Sequence, residues 1–314
     1  MQAGFDDVNQ IFDWTLQMKL EEFTQLAENV VELLRKEEGI VGNFYVNGKL
    51  VEMKPQGLAT VVGDLHGDLE TLKQILQDSQ FMEKVKQDKQ QQPFLIFLGD
   101  YGDRGIDSPE VYGIVLKLKE TFPEHVILMR GNHEGPKDLM PSPHDLPTYL
   151  QRKFGENWQS AYEELRLLFD ELYMGVIVNE RYVFLHGGVP SQAKTKTDIA
   201  FAHKTHPREP HLEEILWNDP EEAMTGTSSS PRGAGKLFGK DVTDKFLQML
   251  NVNLLIRGHE PSVAGYKVNH EGKVLTLFSR KGEPYFNSNA AYLQLDLSRK
   301  VENVRQLQDS IKLL

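Results

Sequence analysis

The feature that most restricts this chain is what stands where its apolar runs stop. Leu95-Ile-Phe-Leu98 runs straight into Gly99-Asp100-Tyr101-Gly102-Asp103-Arg104-Gly105. Thr60-Val-Val62 runs into Gly63-Asp64-Leu65-His66-Gly67, and Val126-Ile-Leu-Met129 into Arg130-Gly131-Asn132-His133-Glu134. Tyr182-Val-Phe-Leu185 ends on His186-Gly187-Gly188, and Leu254-Leu-Ile256 on Arg257-Gly258-His259-Glu260. Short apolar runs bounded by turn residues read as buried strands. In α/β proteins ligands collect at the carboxyl ends of such strands. One Gly-Asp after a strand reads as a turn. Five stops that each deliver Asp, Asn or His read as a site, with glycines that let the backbone bend close to a ligand.

The segments between the stops set the fold class. Residues 8–37 carry Phe23, Leu26, Val30, Val31, Leu33 and Leu34 at near-helical spacing, which predicts one helix packed on the core. Asn47-Gly48 between β-prone runs predicts a hairpin within 43–54. Helices are expected over 68–78, from Ser108-Pro109 onward, over 158–173 and over 242–250. Strands are expected at 58–62, 94–98, 126–129, 254–256, 274–278 and 292–297, with a hairpin of 175–178 and 182–185 turning at Asn179-Glu180. The four prolines of 135–147 predict a loop, and the Ser- and Gly-rich stretch 225–236 a solvated surface connector. The pattern is α/β. It divides into an N-terminal helix and hairpin over 1–57, a core over 58–298 and a tail over 299–314, all in a single domain.

The donor types at the stops select the chemistry. Asp64 and His66, two apart, converge where a strand unwinds. Asp100 is placed to bridge two cations, and Asn132, His186 and His259 to complete the second. The chain has no cysteine, so thiolate metal sites, a cysteine nucleophile and disulfides are excluded. Carboxylate, amide and imidazole ligands suit two divalent ions, manganese first, with iron or zinc as alternatives. Two such ions clamp the attacking and leaving oxygens of an in-line displacement, which predicts phosphate-ester hydrolysis. Arg104 and Arg257 are candidate phosphate grips, as is Asn132; an ion pair with a nearby carboxylate is the other reading for either arginine. His133 is the candidate general acid and Asp103 the group that holds its imidazole. The other six histidines are assigned to surface or core roles. The net charge of −11 argues against nucleic-acid and anionic-membrane partners. No apolar run reaches the length of a membrane span, and the acidic N-terminus lacks signal-peptide order, so the expected location is cytoplasmic.

Gly-Asp-x-His-Gly, Gly-Asp-x-x-Asp-Arg-Gly and Gly-Asn-His-Glu, in this order, resemble the phosphoprotein phosphatase family of serine/threonine phosphatases. His186-Gly-Gly and Arg257-Gly-His259 agree. Leu216-Trp217-Asn218-Asp219-Pro220 is similar to a further signature of its type 1 and type 2A members. The resemblance covers about residues 58–298. It implies a metallophosphoesterase-type β-sandwich of two mixed sheets flanked by helices, phosphoprotein substrates, and direct attack by a metal-bridging hydroxide. It also implies Asp64, His66 and Asp100 on one metal, Asp100, Asn132, His186 and His259 on the other, the acid pair His133 with Asp103, and Arg104 and Arg257 on phosphate. Two loops depart from the eukaryotic pattern. A proline-rich segment follows Glu134, and Ser279–Phe286 lacks Ala-Pro-Asn-Tyr-Cys, with Tyr285 or Phe286 as the aromatic in its place. These loops look more like a prokaryotic or archaeal member. The competing reading is a small-molecule phosphoesterase such as a symmetrical dinucleoside polyphosphate hydrolase. A binding subunit that keeps only the fold is a third, and it is disfavoured because every proposed ligand and His133 are present.

Overall fold

The apolar runs are continuous because their sheet is covered on both faces. The computed structural model describes Phe5, residues 7–87 and residues 92–314. Among these, one sheet takes the spatial order Gly39–Val41, Phe44–Asn47, Leu50–Met53, Gly175–Val178, Tyr182–Phe184, Leu254–Arg257, Val274–Leu277 and Tyr266–Asn269. Along it Val176, Val178, Tyr182, Phe184, Leu254 and Ile256 enter one apolar cluster, while the alternating Ile177, Val183 and Leu255 enter another. That is the two-residue period of a strand with a core on each side.

The second sheet runs Ile311–Leu313, Ala291–Asp296, Leu58–Val62, Pro93–Phe97 and Val126–Leu128. Leu58–Val62, Pro93–Phe97 and Val126–Leu128 are parallel neighbours, and so are Tyr182–Phe184, Leu254–Arg257 and Val274–Leu277 in the larger sheet. The sheets touch through parallel bridges from Asp64 to Phe278, past the carboxyl ends of both strands, and from Met129 to Tyr173, just ahead of Gly175–Val178. Two mixed sheets flanked by helices therefore deliver their strand ends to one edge, as the resemblance implied.

Several elements differ from expectation. Residues 8–37 form two helices, Val8–Gln17 and Leu20–Lys36. Met18 is buried and seats its methyl against Gly113 of the Ser108–Thr121 helix. Glu22 then accepts the Lys19 N–H at 2.9 Å and starts the second helix. Pro147 lies in the first turn of a helix, Leu146–Phe154, where a missing N–H costs nothing. A further helix, Phe81–Gln87, and the edge strands Gly39–Val41 and Ile311–Leu313 are too short to carry a periodic pattern. The expected connector at 225–236 is a hairpin. Thr227–Ser229 pairs with Lys236–Phe238, which lies parallel to Asp219–Pro220. Its first strand is exposed and polar, so no apolar alternation marked it.

Candidate metal centre and active site

The strand ends hold their side chains in unusual backbone. His66, Asp100, Asp103, Arg104 and His259 all have φ between 45° and 73°. Such left-handed residues cost about 1–3 kcal/mol each and persist where the surroundings over-determine them. The glycines are required by close approach: a Cβ on Gly131 would land on the Asp100 carboxylate, and one on Gly258 on the Asp64 carboxylate. Glu134, fully buried, ties two of the stops together. Its carboxylate accepts N–H groups from Asp100 at 2.8 Å, Tyr101 at 3.1 Å and Gly131 at 3.0 Å, and the Tyr112 hydroxyl at 2.7 Å.

The structure brings all six predicted ligands together. His66 and His186 each donate Nδ1–H to a backbone carbonyl at 2.9 Å, Gly102 and Leu98 respectively. That fixes the tautomer and leaves each Nε2 a lone pair, as metal-binding imidazoles require. His66 Nε2 lies 3.5 Å from Asp100 Oδ2 and 3.9 Å from Asp64 Oδ2. His186 Nε2 lies 3.4 Å from Asp100 Oδ1 and 2.9 Å from Asn132 Oδ1, which is itself 3.0 Å from His259 Nδ1. Two groups of donors, His66–Asp100–His133 and Asp100–His186–His259, each converge within 4.8 Å, with Asp100 common to both.

These contacts test whether cations fit. Burial holds His66, His186 and His259 well below their ordinary value, so they are neutral. Burial pushes Asp64 up to about 7. It also raises Asp100 well above the carboxylate range, and the neighbouring Asp64 charge adds to that shift. Were both carboxyls charged, acceptors would face acceptors. Turning the Asn132 amide over would let its nitrogen donate to Asp100, His186 and His259. That remedy still leaves the buried Asp64 Oδ2 and His259 Nε2 without hydrogen-bond partners. Divalent ions would take up the lone pairs crowded here, and a close set of carboxylate, amide and imidazole donors is what such ions require.

His133 sits beside this cluster. Its N–H donates to Asp100 Oδ1 at 3.0 Å and its Nδ1–H to Asp103 Oδ2 at 2.6 Å. Burial works to raise Asp103, but the hydrogen bonds and charges of His133 and His144 outweigh it and hold Asp103 far below the usual carboxylate range. The cluster opens on a cavity of about 690 Å³ lined by His66, Asp100, Asn132, His133, Trp217 and His259, among others. Tyr285, not the exposed Phe286, reaches it, with its ring 5.4 Å from His66.

The two arginines separate. Arg104 lines the cavity, steadied by the Pro143 carbonyl at 2.8 Å and Asp145 at 3.2 Å. Arg257 is corrected: it is not available to a phosphate. It is fully buried, and its five N–H donors meet five acceptors. These are the Gly187 and Asn218 carbonyls, Thr276 Oγ1, Asp219 Oδ1 at 2.9 Å and Glu260 Oε2 at 2.7 Å. The ion-pair reading applies to it. The second cavity arginine is Arg232, from the hairpin tip expected to be mere connector. Its Nε donates to Asp219 Oδ2 at 2.7 Å, which leaves both Nη groups for a ligand. Asp219 therefore sets one oxygen on each arginine. Arg232-Gly233, shortly after the Trp217 signature, was the available sequence signal.

Comparison with known proteins gives this site its context. The family described as calcineurin-like phosphoesterase matches residues 58–263, and the chain belongs to it. Within that class it belongs to the phosphoprotein phosphatase family of serine/threonine phosphatases. It is 34% identical over 248 residues to the serine/threonine-protein phosphatase 4 catalytic subunit of Candida glabrata, covering 77% of this chain and 75% of that one. It is 35% identical over 242 residues to the Saccharomyces cerevisiae protein of the same name, covering 76% and 74%. The fold resembles a solved protein serine/threonine phosphatase from Saccharomyces cerevisiae with similarity to human phosphatase PP5. The TM-score is 0.71 at 23% identity, over 95% of this chain and 89% of that one. These relatives are fungal and lend the prokaryotic expectation no support. Among the described residues, no helix is long and apolar enough to cross a membrane.

Proposed function

We propose that this chain hydrolyses phosphoserine and phosphothreonine monoesters in proteins, at the cavity where its strand ends meet. One observation carries the reading. A two-ion donor set, an imidazole held by a carboxylate, and two arginines face a single cavity. Asp64, His66 and Asp100 would hold one divalent ion, and Asp100, Asn132, His186 and His259 the other, with manganese the metal best matched to these donors. Bound ions of this kind supply an acidified water and neutralise phosphoryl charge.

The chain's own residues do the rest. Arg104 and Arg232 present guanidinium groups to the phosphate oxygens from two loops, and so orient the ester. His133 keeps Nδ1–H on Asp103 and turns Nε2 to the cavity, where it gives its proton to the departing serine or threonine oxygen. Asp103 holds that ring in one tautomer. Residues 58–298 form the catalytic unit, with the helices and hairpin of 7–57 packed on it, in a protein of the cytoplasm acting on phosphoproteins.

The test compares a phosphothreonine peptide with diadenosine tetraphosphate, using chain stripped of metal and then given Mn²⁺. Peptide hydrolysis that returns with metal is the expected result. Arg232→Ala should then raise KM for the peptide by about tenfold or more, the loss of a charge-assisted contact of roughly 1.5–3 kcal/mol. Cleavage of the dinucleotide alone would assign the chain to small-molecule phosphoesterases instead.

A further inference from the structure

We propose that His144 is a positioning residue for the general acid, sharing one carboxylate oxygen of Asp103 with His133. The proposal rests on the reading of His133 as the acid. His144 comes from the proline-rich segment that departs from the eukaryotic pattern, and the sequence alone sent it to surface or core. Asp103 Oδ2 accepts His133 Nδ1–H at 2.6 Å and His144 Nδ1–H at 2.8 Å. Its Oδ1 accepts the N–H groups of Asp145 at 2.7 Å and Leu146 at 2.6 Å. Four donors saturate a carboxylate. Three of them come from consecutive residues, so the 144–146 segment grips Asp103 and leaves one site for His133.

The two oxygens are held differently. Two backbone donors on Oδ1 anchor one end of the carboxylate, whereas Oδ2 meets side-chain donors alone, His133 and His144. His144 pins the other end. Its own ring is fixed in turn, because the Tyr162 hydroxyl donates to Nε2 at 2.9 Å, with the two ring centres 5.7 Å apart. Tyr162 stands on the Gln159–Glu171 helix, so the line Tyr162–His144–Asp103–His133 joins a rigid element to the imidazole that faces the cavity. A small swing of Oδ2 would take the His133 ring off the leaving oxygen, and proton transfer depends steeply on such alignment.

The chemistry offers a readout that a purely structural role would leave still. A threonine alkoxide needs a proton to depart; a p-nitrophenolate needs little help. The measurement is the ratio of kcat/KM for a phosphothreonine peptide to that for p-nitrophenyl phosphate, on the full Mn²⁺-loaded chain. Both rates come from the same sample, so any loss of folded protein cancels. His144→Phe, which keeps a ring against Tyr162 but removes the donor, should lower the ratio about tenfold. His144→Asn, whose amide N–H can reach Oδ2, should restore most of it. His133→Asn is the reference. If its ratio falls while that of His144→Phe stays at the wild-type value, the positioning role is overturned and the acid reading stands. If the ratio of His133→Asn itself does not fall, the acid reading fails and the proposal with it.

Discussion

His133→Asn is expected to lower kcat on a phosphothreonine peptide by about 10²–10⁴-fold while the chain still folds and still takes up metal. The expectation follows from how the ring is held. Its Nδ1–H is committed to Asp103 at 2.6 Å, so only Nε2 faces the cavity. Asparagine offers a neutral amide there, which cannot deliver a proton to an alkoxide. His133 also falls within one of the converging donor groups, beside His66 and Asp100, so a role as metal ligand is the competing account. The two are separable. An acid lost leaves metal content unchanged and slows turnover; a ligand lost lowers the metal content measured after desalting. Retained metal with kcat reduced by less than threefold would remove His133 from the chemistry altogether.

The second large effect concerns stability. Arg257→Ala should destabilise the chain by about 3–5 kcal/mol, read as a lower urea midpoint at unchanged slope. The arginine itself is not what makes the loss large. Removing it leaves the Asn218 and Gly187 carbonyls without their donor and takes the closest charge from Asp219 and Glu260, which keep only Arg232 and Lys267 respectively. Arg232 differs because its side chain is 37% exposed and its Nη groups are uncommitted. Its replacement should affect substrate binding with little change in midpoint. An Arg257→Ala protein of wild-type stability with a raised KM would reverse the assignment and restore Arg257 as the phosphate grip.

This exchange of arginines marks where the sequence stops being readable. The candidate metal ligands were legible because each stands just past an apolar run with a glycine close by, so strand direction alone sends them to one edge. Arg257 and Arg104 sit in that same pattern, and nothing local distinguishes them. What separates them is Asp219, 38 residues upstream of Arg257, and the hairpin that brings Arg232 to its other oxygen. His144 was hidden for a similar reason. It is 41 residues from Asp103 and meets it only because the chain reverses through Pro141 and Pro143 before the Leu146–Phe154 helix. The long helices and the central strands were visible through periodicity. The break at Met18 was not, since the apolar spacing continues across it and the long-range contact of Met18 with Gly113 leaves no local mark.

The five strand ends would together hold two divalent ions, with Asp100 common to both donor groups. The most direct test is titration of the metal-stripped chain with Mn²⁺, followed by calorimetry and by metal content after desalting. The account predicts about two ions per chain, reduced in Asp100→Asn. It also predicts proton release, with a definite sign. Burial pushes Asp64 up to about 7 and raises Asp100 well above the carboxylate range, whereas it holds the three histidines well below their ordinary value and so neutral. The cation must therefore displace protons from the two carboxyls, and apparent affinity should rise from pH 6 to pH 8. A single ion per chain, bound equally well by Asp100→Asn and with no dependence on pH, would contradict the account.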